Sequence, residues 1–298
     1  MRVFVTGGGQ GFIGGHVVSA LERAGHEVRR EWVDIRHRPE LERAVRGCDA
    51  VMHVAALYSY TAPTDEIEAV NVDGTQNVIA ACHAAGVRRL VYTSSAGTCG
   101  PVPGRAATED DDPPDWELRV PYKRTKLGAE RLVLAAAAGS LEALAVNPTT
   151  PIGPGDDAPT PTGRMIRAVA RGRYRATLRS GGLNLVDVRD VARGHVLALE
   201  HGRPGERYIL GSANLTLAEV FALVSRAADR RPPRVRLPYV AAQALALVGL
   251  ANAQEVTLAR WPAWFSSAKA ERELGYAPAP VERAVEDAVS AALEAAPQ

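Results

Sequence analysis

The most restrictive stretch of this 298-residue chain lies at its start. The apolar run Val3-Phe4-Val5 passes straight into Thr6-Gly7-Gly8-Gly9-Gln10-Gly11-Phe12-Ile13-Gly14. From Phe12 to Ala24, Ile13, Val17, Val18 and Leu21 then repeat at helical spacing. Strand, glycine loop and helix in that order aim unpaired N–H groups and the positive end of a helix dipole at the loop, which suits a pyrophosphate. The glycines count in two ways, as G-x-x-x-G-x-x-G from Gly7 or G-x-x-G-x-x-G from Gly8. Gly7 is expected to close the strand, while Gly8, Gly11 and Gly14 keep the phosphate-side spacing and an extra residue bulges within Gly8-Gly9-Gln10. Gly7, Gly8, Gln10, Gly11, Phe12 and Ile13 are the expected dinucleotide contacts.

Behind that unit the pattern repeats. His26-Glu27-Val28, Ala50 to Ala55, Arg89 to Thr93 and Leu144 to Val146 read as near-continuous buried strands, with helices between them such as Glu66 to Ala85. Strands alternating with helices predict an α/β fold with a doubly wound parallel sheet. Only about ten residues separate strand two from the helix near Arg38, too few for a further parallel strand and its crossover. The sheet edge is therefore expected to be truncated, with at most a stub around Trp32 to Ile35. After Asn147 the prolines and glycines of residues 148–163 read as loop, and a helix-rich C-terminus follows. The expected division is a nucleotide-binding domain over 1–150 with a return segment at about 181–212. A smaller substrate-binding lobe takes 151–180 and 213–298.

The acidic residue that would hold an adenosine ribose at the end of strand two is absent; Arg29 and Arg30 stand there. Guanidinium groups match a 2′-phosphate, which favours NADP, with NAD as the alternative. A solvated basic pair is the plain reading of the same residues. Asp34, followed by Ile35, either faces the adenine or leads into the next helix.

Tyr122 and Lys126 lie one helical turn apart on one face, and an ammonium beside a phenol is expected to lower its pKa. Such a tyrosine exchanges a proton with a substrate hydroxyl or carbonyl. Thr93-Ser94-Ser95 ends a predicted strand, where doubly wound sheets bind ligands.

Together "TGGGQGFIG", "DAVMHVAA", "NVDGTQNVIAA", "LVYTSSAGTCG", "YKRTK", "NPTTPIGP", "VDVRDVA" and "FSSAKAERELGY" resemble an extended short-chain dehydrogenase/reductase, of the NAD(P)-dependent epimerase/dehydratase type, over nearly the full length. "PTPTGRMI", "LNLVDVRDVARGH" and "GERYILG" draw the likeness towards the hopanoid-associated sugar epimerase subgroup. The resemblance implies a Rossmann-type sheet, Tyr122 as acid/base, Lys126 as its partner, and Ser95 as hydrogen bonder of the substrate oxygen. It also implies that Thr93, Ala55, Ala56, Pro148 and Thr149 border the cofactor, and that Asn147 serves a nucleotide. Helices around Glu66 to Ala85 and Pro121 to Ala138 would pair in a homodimer, or serve only their own sheet.

Departures from the family narrow the chemistry. Ala96 and Gly97 replace the Asp-Glu pair of sugar 4,6-dehydratases, and Leu183 replaces the arginine that clamps a diphosphate in UDP-sugar epimerases, with Arg179 nearest. The expected function is hydride transfer at a C–OH or C=O carbon by a ketone or aldehyde reductase or alcohol dehydrogenase. The alternatives are a nucleotide-sugar epimerase that retains its cofactor and a non-catalytic cofactor sensor. Tyr58, Tyr60, Trp116, Arg164, Met165, Trp261 and Trp264 are candidate pocket residues, or ordinary packing. A net charge of +1 gives no field for nucleic acid or an anionic membrane, no apolar run is long enough to span a membrane, and no export signal is visible, so a cytoplasmic enzyme acting on a small molecule, with no membrane partner, is expected. Cys48, Cys82 and Cys99 have no C-x-x-C spacing and the histidines no metal-ligand spacing, so no metal is expected. His53 is read as a satisfied core histidine, and Asp187 and Asp190 as helix caps.

Overall fold

The structure is a computed structural model that describes residues 1–59, 62–157, 160–249 and 253–294. β1 (Arg2–Val5), α1 (Phe12–Arg23), β2 (Glu27–Arg29), α2 (Arg38–Ala44) and β3 (Ala50–His53) open the chain. α3 (Thr64–Glu68) runs through a π-helical turn at Ala69–Asp73 into α4 (Gly74–Ala85). β4 (Arg89–Thr93), α5 (Pro121–Ala136) and β5 (Glu142–Pro148) follow. The order β2-β1-β3-β4-β5, extended by β9 (Arg207–Leu210), is parallel throughout. β2 is an edge of three residues, and no strand lies between it and α2, so the truncated edge is present.

Side-chain alternation along β1 divides the core. Val3 and Val5 join Val17, Val18 and Leu21 of α1, whereas Phe4 joins Leu41 of α2, Val78 of α4 and Val133 of α5. Both faces are thus covered by helices, which explains the near-continuous apolar runs of β3, β4 and β5. Each side chain fully buried in this way contributes roughly 1.5–3 kcal/mol.

The stretch read as loop after Asn147 contains a short strand, β6 (Thr150–Ile152), which pairs with β8 (Gly182–Asp187). Its partner lies more than thirty residues on, so local composition does not reveal it. Between them come α6 (Pro161–Ala170) and β7 (Ala176–Leu178), and β8 leads to α7 (Val188–His201), which packs on α1. The Asp187 side chain accepts from Arg189 N and caps α7. β10 (Ala213–Thr216), α8 (Leu217–Ala227), β11 (Val235–Leu237), α9 (Tyr239–Leu247), α10 (Ala253–Leu258), β12 (Pro262–Ala263), α11 (Ala268–Leu274) and α12 (Glu282–Glu294) complete the fold. β8 is the centre of a sheet with β10, β12 and β6, while β7 pairs with β11. Ile152, Ile166, Leu185, Phe221 and Val285 form the separate core of this lobe.

Candidate active site

The glycine loop meets the end of β3. Gly7, Gly8 and Gly9 have φ of 70°, 63° and 67°, a left-handed run that other residues resist. A Cβ on Gly7 would touch Ala55 Cβ at 3.4 Å, one on Gly8 would come within 3.0 Å of Arg30 O, and one on Gly9 would collide with the Val18 side chain. Gly14 packs on Gly9 from the first turn of α1, with a would-be Cβ 3.2 Å from Gly9 Cα. The extra residue therefore allows the loop to press against α1 at Gly9, a position that counting glycines did not single out. Gly11 caps α1 with nothing within 4 Å of its would-be Cβ, and Gln10 and Gly11 are exposed, so the helix end is open to an anion. A positive helix terminus beside a concave, left-handed glycine loop fits a dinucleotide pyrophosphate.

Thr6 ties this loop to β3. Its Oγ1 accepts from Val54 N (3.0 Å) and Ala55 N (2.9 Å) and lies 3.0 Å from His53 Nδ1. The hydroxyl proton is left to donate to His53, whose other nitrogen then donates to Thr75 Oγ1 at 3.0 Å. Burial lowers the His53 pKa to about 3, so the ring is neutral and structural. Ala56 is exposed just beyond, and Asn71, from the π-helical turn, clamps Leu57 through both its N–H and its C=O. This asparagine sits in the "NVDGT" motif, but its role depends on a helical register that the sequence pattern does not report.

At the adenosine end the two arginines separate. Arg29 NH1 donates to the carbonyls of Ala44 (2.8 Å) and Arg46 (3.1 Å), closing the end of α2. This corrects the expectation of a paired phosphate site, because NH1 of the Arg29 guanidinium is held by backbone carbonyls. Arg30 is exposed, 4.0 Å from Glu22, and Trp32 beside it is 61% exposed. Asp34 accepts a forked bond from Arg36, which holds its carboxyl below the usual range. Ile35 is buried, its side chain filling the space that a Cβ on Gly74 would need.

At the other end α5 brings Tyr122 and Lys126 against the turn after β4. Ser95 is half-buried, and its Oγ accepts from Gly97 N at 3.2 Å, leaving its proton for a ligand oxygen. Gly97 lies between Ser95 and Lys123: its would-be Cβ is 3.4 Å from Ser95 Oγ and 3.7 Å from Lys123 Cε. Lys123, half-buried, pairs with the buried Glu117. Tyr122 is half-buried, its ring centroid 4.6 Å from that of Tyr58. Lys126 Nζ donates to the Thr93 carbonyl at 2.6 Å and lies 4.2 Å from the centre of the Tyr92 ring. Burial lowers its pKa to about 7. Burial, with Tyr58 alongside, pushes the Tyr122 phenol up. That is opposite to the downward shift expected from spacing alone: the ammonium is turned to β4, and desolvation of the phenolate dominates.

The remaining candidates divide. The Thr93 hydroxyl donates to His195 Nε2 at 2.8 Å, since Nδ1 donates to Val191 O; burial holds His195 neutral with a pKa near 4. Pro148 pairs with Leu210 in the sheet, and Thr149 Oγ1 donates to Asn184 at 2.9 Å. Asn147 is fully buried; its Nδ2 donates to Ser95 O, Thr98 Oγ1 and Glu130, which in turn pairs with Arg207 at 2.8 Å. Asn147 thus braces the Ser95 turn from behind instead of facing a nucleotide. Trp264 donates to Leu215 O and covers Gly182 in the lobe sheet. Trp261 instead meets Trp116 edge-on, at 5.7 Å between ring centroids, on the segment that leads into α5. Arg164 is exposed on α6. Tyr60 lies outside the described residues. Among the described residues no cluster of three or more His, Cys, Asp or Glu side chains is placed to hold a metal, and no helix is long and apolar enough to cross a membrane. The three cysteines are buried and unpaired.

A family model for the NAD dependent epimerase/dehydratase family matches residues 3–211. The chain belongs to this family. As an extended short-chain dehydrogenase/reductase it is an NAD(P)-dependent enzyme of the oxidoreductase/epimerase kind. It is 35% identical to a dihydroflavonol 4-reductase-like protein of Synechocystis sp., over 96% of this chain and 93% of that one. It is 37% identical to a 2-alkyl-3-oxoalkanoate reductase of Stenotrophomonas maltophilia, over 69% of this chain and 67% of the relative. The crystal structure of gox2253 is 35% identical, covers 97% of both chains and superposes with a TM-score of 0.85.

Proposed function

We propose that this family member is a carbonyl reductase, or alcohol dehydrogenase in reverse, for apolar ketones or aldehydes, with NADP(H) preferred. The supporting observation is that neither position expected to serve a nucleotide sugar is equipped for it: residue 183, the diphosphate clamp of UDP-sugar epimerases, is leucine, and Asn147, expected on the nucleotide, is buried among Ser95, Thr98 and Glu130. Tyr58 stands against Tyr122, and the Trp116–Trp261 pair, which joins the lobe to the segment leading into α5, is proposed as a further wall; such surfaces suit an alkyl chain or a ring. The two relatives named above are reductases, one of them of an alkyl oxoalkanoate.

A dinucleotide held by its pyrophosphate at the open end of α1 would supply the hydride from its reduced nicotinamide. Ser95 donates a hydrogen bond to the substrate carbonyl oxygen. Tyr122, held neutral by its surroundings, gives that oxygen a proton, and Lys126 offsets the phenolate that remains until solvent returns the proton. Arg30, rather than Arg29, contacts the 2′-phosphate. A homodimer through α4 and α5 is part of this reading.

The test is NADPH consumption by the purified protein against a panel of alkyl and cyclic ketones, beside UDP-sugar interconversion. Ketone-dependent NADPH oxidation supports the reading. UDP-sugar interconversion without net cofactor turnover overturns it in favour of the epimerase alternative. Sedimentation checks the dimer.

A further inference from the structure

α9 carries its apolar residues on the wrong side for a core helix. Val240, Gln243, Ala244, Leu247 and Val248 are exposed, spaced i, i+3, i+4, i+7, i+8, whereas Ala242 is buried. Val240 is 75%, Leu247 88% and Val248 68% exposed. One helix face is thus a continuous outward stripe with no charged side chain. α10 packs on α9 and leads to Trp261, which meets Trp116.

The chain entering α9 is strongly basic. β11 and β7 pair in parallel, Val235 beside Ala176 and Leu237 beside Leu178, which places Arg234 and Arg236 near Arg175 and Arg179. Arg179, Arg234 and Arg236 line one surface hollow, with Arg230 and Arg231 just upstream. All six are exposed, and among the described residues none is in an ion pair. Glu219, whose carboxylate pKa is held low by Thr216 and in smaller part by Arg236, is bonded to Thr216 in the cap of α8. A chain of net charge +1 has therefore gathered positive charge, in no ion pair among the described residues, beside an exposed apolar stripe.

We propose that this face, α9 with the β7–β11 arginines, docks the enzyme on the surface of an anionic lipid bilayer. The stripe enters the headgroup boundary and the arginines meet lipid phosphates. A second copy of the chain is disfavoured as occupant, because a two-fold contact would bring two arginine clusters together. Nucleic acid would match the arginines and leave the stripe in water. The inference reads a surface and stands apart from the substrate proposed above.

The experiment is co-sedimentation with phosphatidylcholine vesicles, with and without phosphatidylglycerol, at low and high salt. The wild-type chain is expected to pellet with phosphatidylglycerol vesicles at low salt and to be released by salt. Val240→Glu/Leu247→Glu and Arg234→Glu/Arg236→Glu are each expected to lower partitioning by about tenfold or more, with NADPH binding unchanged as the check on folding. The proposal is overturned if the wild-type chain stays in the supernatant, if it binds phosphatidylcholine alone equally well, or if either variant partitions like wild type. It is also overturned if Leu247→Glu converts a dimer to a monomer without changing partitioning.

Discussion

In the main sheet Val3, Phe4 and Val5 alternate between two closed cores, whereas in the lobe Val240, Leu247 and Val248 of α9 point to solvent. The first region holds every group assigned to the chemistry on strand ends and α5. The second supplies Trp261, proposed as a wall of the site, and an exposed surface. Catalysis needs fixed geometry, so it sits where packing removes freedom. In the proposed reading recognition falls to the lobe, whose strands are short and whose helix α9 leaves apolar residues uncovered.

The largest expected effect breaks or confirms this division. Tyr122→Phe should lower kcat by on the order of 10³, within the usual range for a lost general acid, with an unchanged circular dichroism spectrum. Trp261→Ala, in the lobe, should instead raise KM for an apolar ketone by roughly tenfold, the scale of one or two buried methylenes, with kcat little altered. Equal losses in kcat from both variants would erase the contrast.

Within the rigid half, loop glycines should differ sharply. Gly9→Ala places a methyl group into Val18 at a left-handed φ and should cost about 2–4 kcal/mol by denaturant unfolding. Gly11→Ala, with open space around it, should cost less than about 1 kcal/mol.

Two buried groups give opposite readings of activity and stability. Burial lowers the Lys126 pKa to about 7, below its unfolded value near 10.5, so the unfolded chain binds the extra proton between those values. Stability without cofactor should therefore rise from pH 7 towards 10 in the wild type, by on the order of a few kcal/mol, and this slope should flatten in Lys126→Met, which also loses turnover. His195, with a pKa near 4 against about 6.5 unfolded, contributes stability above pH 6.5 that is lost as the pH falls towards 4. His195→Gln should remove that acid-side slope in thermal melts.

The smallest effect separates the two arginines. Arg30→Ala should weaken NADPH binding by roughly tenfold, the worth of one charge-assisted contact, and leave NADH unchanged. Arg29→Ala should alter melting temperature but not the NADPH/NADH ratio.

How much of this the sequence revealed follows from range. Period-two burial and the loop–helix unit are local signals, so the sheet and its truncated edge were legible, and the Ser95–Tyr122–Lys126 set could be proposed from spacing and strand ends. β6 depends on pairing with β8 far along the chain, and the roles of Asn147 and Arg29 depend on which hydrogen-bond partners tertiary packing supplies. Spacing placed Lys126 near Tyr122 but did not show that its ammonium would bond Thr93 O, so the direction of the Tyr122 shift was misread. Trp264 and Trp261 are equivalent in composition; only the fold distinguishes the one in the lobe sheet from the one meeting Trp116.

The most direct test follows the hydride. With NADPH deuterated at the transferred position of the nicotinamide and an apolar ketone, the account predicts deuterium on the carbinol carbon of a released alcohol, one per cofactor consumed, and none with Tyr122→Phe. Deuterium retained on tightly held cofactor while a nucleotide sugar changes configuration would contradict it.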